Sequence, residues 1–166
     1  MQQQYVILSQ TTLDSLPLPI SPEPAVGAAP ATPKLLLEMT FSPKLFVSND
    51  LLSQLQPLCG DTTEWLPAAI DASPSQPQAD EIRHYDYYHM AYIQQSYRLT
   101  ELQPQPGRLN WLDAATTRFD FSRLADIPLA ERRLFKLAED YGLVFIHLSL
   151  IELLQQQANT IWVRRL

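Results

Sequence analysis

The chain is poor in the residues that most directly advertise chemistry. Among its 166 residues Cys59 is the single cysteine, so no internal disulfide forms and the fold does not depend on an oxidising compartment. Four glycines occur, Gly27, Gly60, Gly107 and Gly142, each isolated. That excludes dinucleotide fingerprints and phosphate loops, which need clustered glycines for close backbone approach. Lysine is nearly missing, Lys34, Lys44 and Lys136 being the only three. With a net charge of −6 and no basic cluster interleaved with aromatics, nucleic acid is not an expected partner. No apolar run approaches the ~20 residues that span a bilayer. The N-terminal stretch 1–9 has neither the basic region nor the apolar length of a signal peptide. The expectation is a cytoplasmic protein with no membrane partner.

Catalytic and metal-binding patterns are equally sparse. His84, His89 and His147 have no recognised ligand spacing, and no strained serine elbow of the G-x-S-x-G kind exists. Asp86 near His84 makes only a weak acid–base pair. His147 reads as a hydrogen-bonded structural histidine at a strand-to-helix junction, and Cys59 as a half-buried thiol before Gly60. Asp80–Glu81 and Glu139–Asp140 fall at loop ends, where solvated carboxylates are normal. Arg132–Arg133 and Arg164–Arg165 flank apolar strands, as edge-capping or solvated cations do. No enzyme, cofactor or metal site is expected.

What is present is a globular composition, 46% hydrophobic and 18% charged, in a length suited to one domain over 1–166. Residues 16–33 carry six prolines in eighteen positions, so they form a polyproline-like connector or a loop, not a helix or an inner strand. Tyr5–Ser9 is a short β-type run, and Lys34–Phe41 fits a strand or one helical turn equally. Leu45–Val47 reads as a strand leading through an N-cap at Ser48 or Asn49 into a helix with Leu51, Leu52 and Leu55 on its buried stripe. Pro57 and Gly60 are expected to stop that helix. Glu64–Asp71 reads as an edge strand because Pro67 is tolerated only there. Glu81–Ile93 reads as a tyrosine-rich strand covered in part on both faces. Asn110–Leu112 and Thr117–Phe121 are expected as a short hairpin. Arg132–Ala138 is a strand, Glu139–Gly142 a turn, and Leu143–Leu154 a second strand–helix unit. Aligned without gaps, Phe46, Leu51, Leu55 and Gln56 match Phe145, Leu150, Leu154 and Gln155. Ile161–Leu166 closes the chain as a strand. The sum is an α+β domain with a largely antiparallel mixed sheet and two short strand–helix units.

Charge and aromatics point to protein recognition. Residues 1–83 hold nine acids and three bases, while residues 84–166 hold nine of each. The acidic excess therefore lies in the first half and suits a basic protein partner. Tyr85, Tyr87, Tyr88, Tyr92 and Tyr97 offer large contact area at low rotamer entropy, as interface anchors do.

The run Leu45–Leu55 (LFVSNDLLSQL), the block Tyr85–Tyr92 (YDYYHMAY), and Arg133–Leu137 followed by Phe145–Leu154 and a final apolar strand resemble bacterial immunity proteins. These belong to polymorphic toxin systems, including Rhs-type and type VI-delivered effectors. The resemblance covers roughly residues 44–166. It implies bacterial competition: binding of a cognate toxin C-terminal domain, 1:1, and neutralisation by occlusion of its active site or substrate surface. Asp61, Glu64, Tyr85, Asp86, Tyr87 and Tyr88 are the expected contact residues, chosen for charge and aromatic character. A secretion adaptor or chaperone binding one protein partner is the alternative.

Overall fold

Leu45, Phe46 and Val47 alternate faces along a strand, and the next apolar residues recur at helical spacing; this change of period organises the fold twice. The computed structural model describes residues 4–8, 20–21, 35–39, 44–71, 85–108, 111–157 and 161–165. In chain order the strands are β1 (Tyr5–Ile7), β2 (Ile20–Ser21), β3 (Leu35–Met39), β4 (Lys44–Val47), β5 (Thr63–Asp71), β6 (Tyr85–Ile93), β7 (Ser96–Tyr97), β8 (Leu134–Leu137), β9 (Val144–His147) and β10 (Ile161–Arg165). The helices are α1 (Asn49–Cys59), α2 (Leu129–Arg132) and α3 (Leu148–Gln157), with tight helical turns at Gly60–Thr62 and Phe121–Leu124.

The fold is α+β with mainly antiparallel pairing, but the strands divide between two sheets where one was expected. One sheet has the order β2-β10-β3-β4-β6-β5 and the other β1-β9-β8-β7. Pairing of β10 with β2 and β3, and of β7 with β8, is parallel; the other pairs are antiparallel. The chain crosses from the larger sheet to the smaller at Gln94–Gln95. There the Gln94 amide donates to Thr62 O at 3.1 Å, and Gln95 O accepts from the Lys136 amide at 2.9 Å.

The two strand–helix units are structural equivalents. Leu45 and Val47 of β4, and Val144 and Ile146 of β9, enter one shared core, where they meet Leu51 and Leu55 of α1 and Leu150 and Leu154 of α3. The matched phenylalanines point the other way. Phe46 joins Tyr88 on the far side of the large sheet, and Phe145 joins the aromatic cluster of Tyr5, Phe121 and Phe135 on the far side of the small one. Ser48 caps α1, its Oγ accepting from the Leu51 amide at 3.4 Å. Pro57 does not stop this helix but lies inside it, and Gly60 ends it at φ 57° and ψ −157°, a glycine conformation. The carbonyl that Pro57 leaves without a helical donor belongs to Ser53, and both residues are exposed, where an unmade helical bond costs least.

Three further expectations change. The segments around Trp111–Leu112 and Thr117–Phe121 form no hairpin strands. Asp113 instead closes a turn, its Oδ1 accepting from the Ala115 amide at 2.9 Å, and the Asp120 amide donates to Leu99 O at 2.8 Å. Arg132 belongs to α2, not to the strand that begins at Leu134. Glu139 and Asp140 are not solvated turn residues but are 2% and 4% exposed. Glu139 Oε1 accepts from the Thr100 amide at 2.6 Å and from Thr100 Oγ1 at 2.8 Å. Asp140 accepts from the amides of Leu112 and Gly142, both at 3.0 Å. The carboxylates thus pin the stretches 99–108 and 111–127 over the aromatic face of the small sheet, in place of ladder hydrogen bonds. Of the proline-rich stretch 16–33, Ile20–Ser21 forms the edge strand β2, and the rest lies outside the described residues.

Candidate functional site

β5 and β6 form the longest ladder, paired from Thr63↔Ile93 to Asp71↔Tyr85. Its hydrogen-bond phase follows from one contact. The Gln94 amide bonds to Thr62 O, and these residues continue the register as a direct pair. In an antiparallel ladder bonded and non-bonded pairs alternate, so Glu64, Leu66 and Ala68 bond to β6. Thr63, Trp65, Pro67, Ala69 and Asp71 therefore turn their backbone groups away from β6. Pro67 falls in the outward set, where its missing N–H removes no ladder bond. β5 is the edge of the large sheet among the described residues, as Pro67 implied.

Side chains divide by the same alternation. Trp65, Ala91 and Ile93 lie toward the shared core, and Ala68, Tyr88 and Met90 pack with Phe46 on the opposite face. Both faces of β6 are thus partly covered, as its mixed pattern suggested. Tyr87 is 73% exposed, whereas Tyr88 is 3% exposed and serves the sheet's interior packing. Tyr88, of the expected contact set, is thus mostly buried, yet it contributes to the wall of the cavity beside Tyr87. An open cavity of about 380 Å³ adjoins Tyr87 and Tyr88, lined also by Asn49 at the start of α1, by Pro67, Ala68 and Ala69 of β5, and by His89. Tyr92 is half exposed, with Lys136 Nζ 5.4 Å from its ring centroid.

The expected residues do not converge on one spot. Asp61 is exposed in the turn after α1, and Glu64 is exposed at the start of β5, opposite Tyr92. Tyr87 stands opposite Ala69, five residues farther along β5, roughly 17 Å away at the usual strand rise. Tyr85 and Asp86 occupy the far end of the ladder, opposite Asp71 and Ile70; their side chains lie outside the described residues. Sequence reasoning passed over Pro67, Ala69 and Asn49, which shape the cavity. Its signal was available only in Pro67, read as an edge marker and not as a wall.

The titratable groups elsewhere are structural. His147 Nδ1 accepts from the Ser149 amide at 3.1 Å and lies 2.8 Å from Ser149 Oγ, and its ring meets Tyr5 edge-on. Burial, then the positive charges of Arg132 and Arg133, hold His147 below the ordinary histidine range. Burial pushes the Cys59 thiol up to about 11, against a smaller opposing pull from Arg133. Arg132 and Arg133 are not solvated edge cations. Arg132 Nη1 donates to Tyr5 Oη at 2.7 Å and its Nε to Ile127 O at 2.8 Å. Arg133 Nη1 donates to Leu58 O at 2.6 Å, supplying the C-terminus of α1 with the cation its own last turn lacks. His84, Asp80 and Glu81 lie outside the described residues. Among the described residues no three His, Cys, Asp or Glu side chains gather as metal ligands, and no helix is long and apolar enough to cross a membrane. No protein-family model, curated protein or solved structure matches the chain at a significant level.

Proposed function

We propose that this chain is a cytoplasmic immunity protein that binds a cognate antibacterial toxin domain 1:1 and neutralises it by covering its active site or substrate surface. The observation that carries the reading is Tyr87, a largely exposed ring held on a strand paired along its length, beside an open cavity. A rigid aromatic next to a concavity is what binding hot spots are made of, and it loses little rotamer entropy on contact. The acidic first half and the resemblance of residues 44–166 to immunity proteins support the same reading. An inhibitor of this size needs an interface of about 800 Å² per partner.

The test is genetic and then biochemical. Deleting the gene is expected to be lethal or costly only while a neighbouring toxin gene is intact, and the purified chain is expected to abolish that toxin's activity at one equivalent. If no toxin-domain gene is adjacent and deletion is tolerated, the reading fails. Tyr87→Ala is expected to leave the fold intact and weaken toxin binding by about 2 kcal/mol or more, measured by calorimetry.

A further inference from the structure

The free edges among the described residues are unequal. β1, β2 and β7 end their sheets with two or three residues each, short enough to be blunt. β5 ends its sheet with nine. Its outward backbone groups belong to Thr63, Trp65, Pro67, Ala69 and Asp71, as the ladder phase requires. Such an edge is a template for one more strand.

Charge decides which strand. Residues 45–82 contain no lysine, arginine or histidine, yet carry Asp50, Asp61, Glu64, Asp71, Asp80 and Glu81. That span includes all of α1 and all of β5. Glu64 lies on the opposite face of β5 from Trp65, Pro67 and Ala69, and the cavity opens beside the last two. An added strand would therefore meet a carboxylate on one face and a concavity on the other. A second copy of this chain fits poorly: it would bring two carboxylate-only edges together, and a two-fold through mid-strand would set Pro67 against Pro67.

Resting on the immunity reading, we propose that the free edge of β5 is the docking element, pairing with an extended segment of the toxin domain whose side chains alternate basic and apolar. Lysine or arginine meets Glu64, and an apolar side chain enters the cavity beside Pro67 and Ala69. Main-chain bonds at Trp65 and Ala69 supply the pairing, and the charge pattern supplies register and selectivity.

The experiment uses the full chain and the purified toxin domain encoded beside it. Amide hydrogen exchange on the wild-type complex is expected to show new protection at Trp65 and Ala69. Glu64, Leu66 and Ala68 are expected to be protected already in the free chain. Ala69→Pro, which repeats what Pro67 already does at an outward position, and Glu64→Lys are each expected to weaken binding by about tenfold, with circular dichroism unchanged. Should Ala69→Pro unfold, the exchange pattern and Glu64→Lys decide. Wild-type binding with no new protection and unaffected variants overturns the edge proposal and leaves the immunity reading standing. A folded wild-type chain that does not bind the toxin overturns both. A chain that dimerises alone, and becomes monomeric with Ala69→Pro, assigns the edge to self-association and also overturns the proposal.

Discussion

Replacing Glu139 by alanine tests the claim that buried carboxylates, not strand pairing, hold the stretches 99–108 and 111–127 in place. Glu139 Oε1 takes both the amide and the hydroxyl of Thr100, at 2.6 and 2.8 Å, and Thr100 is itself buried. Removal leaves two buried donors without an acceptor, at a cost of about 1–3 kcal/mol each. Part of this is offset, because the variant no longer buries Oε2, which has no hydrogen-bond partner among the described residues. The net expectation is a loss of roughly 2–4 kcal/mol, within a total stability of about 5–15 kcal/mol for a domain. With a urea slope of about 2 kcal/mol per molar, the midpoint should fall by roughly 1–2 M. Glu139→Gln keeps an acceptor oxygen and should cost less than half as much. Hydrogen exchange adds a local readout, since the Thr100 amide should lose protection ahead of the core strands. A Glu139→Ala midpoint within about 0.2 M of wild type would refute the account and place the anchoring of these stretches in their apolar contacts.

Leu55→Ala, in the core shared by both strand–helix units, is expected to cost about 2–5 kcal/mol in chemical denaturation. A loss under 1 kcal/mol would mean that the two sheets do not rely on a common core. His147 titrates lower in the folded chain than the 6.5 of the free group, so the unfolded chain binds more protons in that window. Stability from this site is complete above about 6.5 and is lost as pH falls through the lower folded-state value. The difference in urea midpoint between pH 7.5 and 5.5 should be smaller in His147→Gln than in wild type; an equal difference would discount the site. Cys59, buried and with its thiol pushed up to about 11, should resist aromatic disulfide reagents at pH 8 until the chain unfolds. Rapid labelling of the native chain would contradict its burial.

The strand–helix units were legible because their periods are local. Alternation in Leu45–Val47 and helical spacing in Leu51 and Leu55 need no distant partner to be read. Pro67 likewise declared an edge strand by what proline cannot do. Two sheets in place of one were not legible, because pairing partners are non-local; nothing in Gln94–Gln95 alone announces that the chain changes sheets there. The false hairpin at 110–121 shows the same limit from the other side. Trp111, Phe119 and Phe121 have strand-like character, yet their burial comes from the face of the small sheet, and the neighbouring amides of Leu112 and Asp120 donate to Asp140 and Leu99 across the fold. Glu139 and Asp140 looked solvated for the same reason: their partners, Thr100 and Leu112, lie 39 and 28 residues away.

The candidate surface was half legible, and the missing half concerns backbone, not side chains. Aromatic content singled out β6, but two adjacent tyrosines on a strand face opposite ways, and the register sends Tyr87 to solvent and Tyr88 inward. Ranking residues by chemistry alone weights the two equally. The backbone groups of β5 that are unpaired among the described residues carry no side-chain signature at all. They follow from two facts taken together: Pro67 allows only an edge position, and a single amide bond at Gln94 sets the ladder phase. A long free edge invites aggregation unless something discourages it. Here the deterrent is net negative charge along the edge together with one missing donor at its centre. On the proposed immunity reading, the like charge disfavours pairing with a second copy and leaves the edge to a strand of opposite charge, the selectivity that a one-partner inhibitor requires.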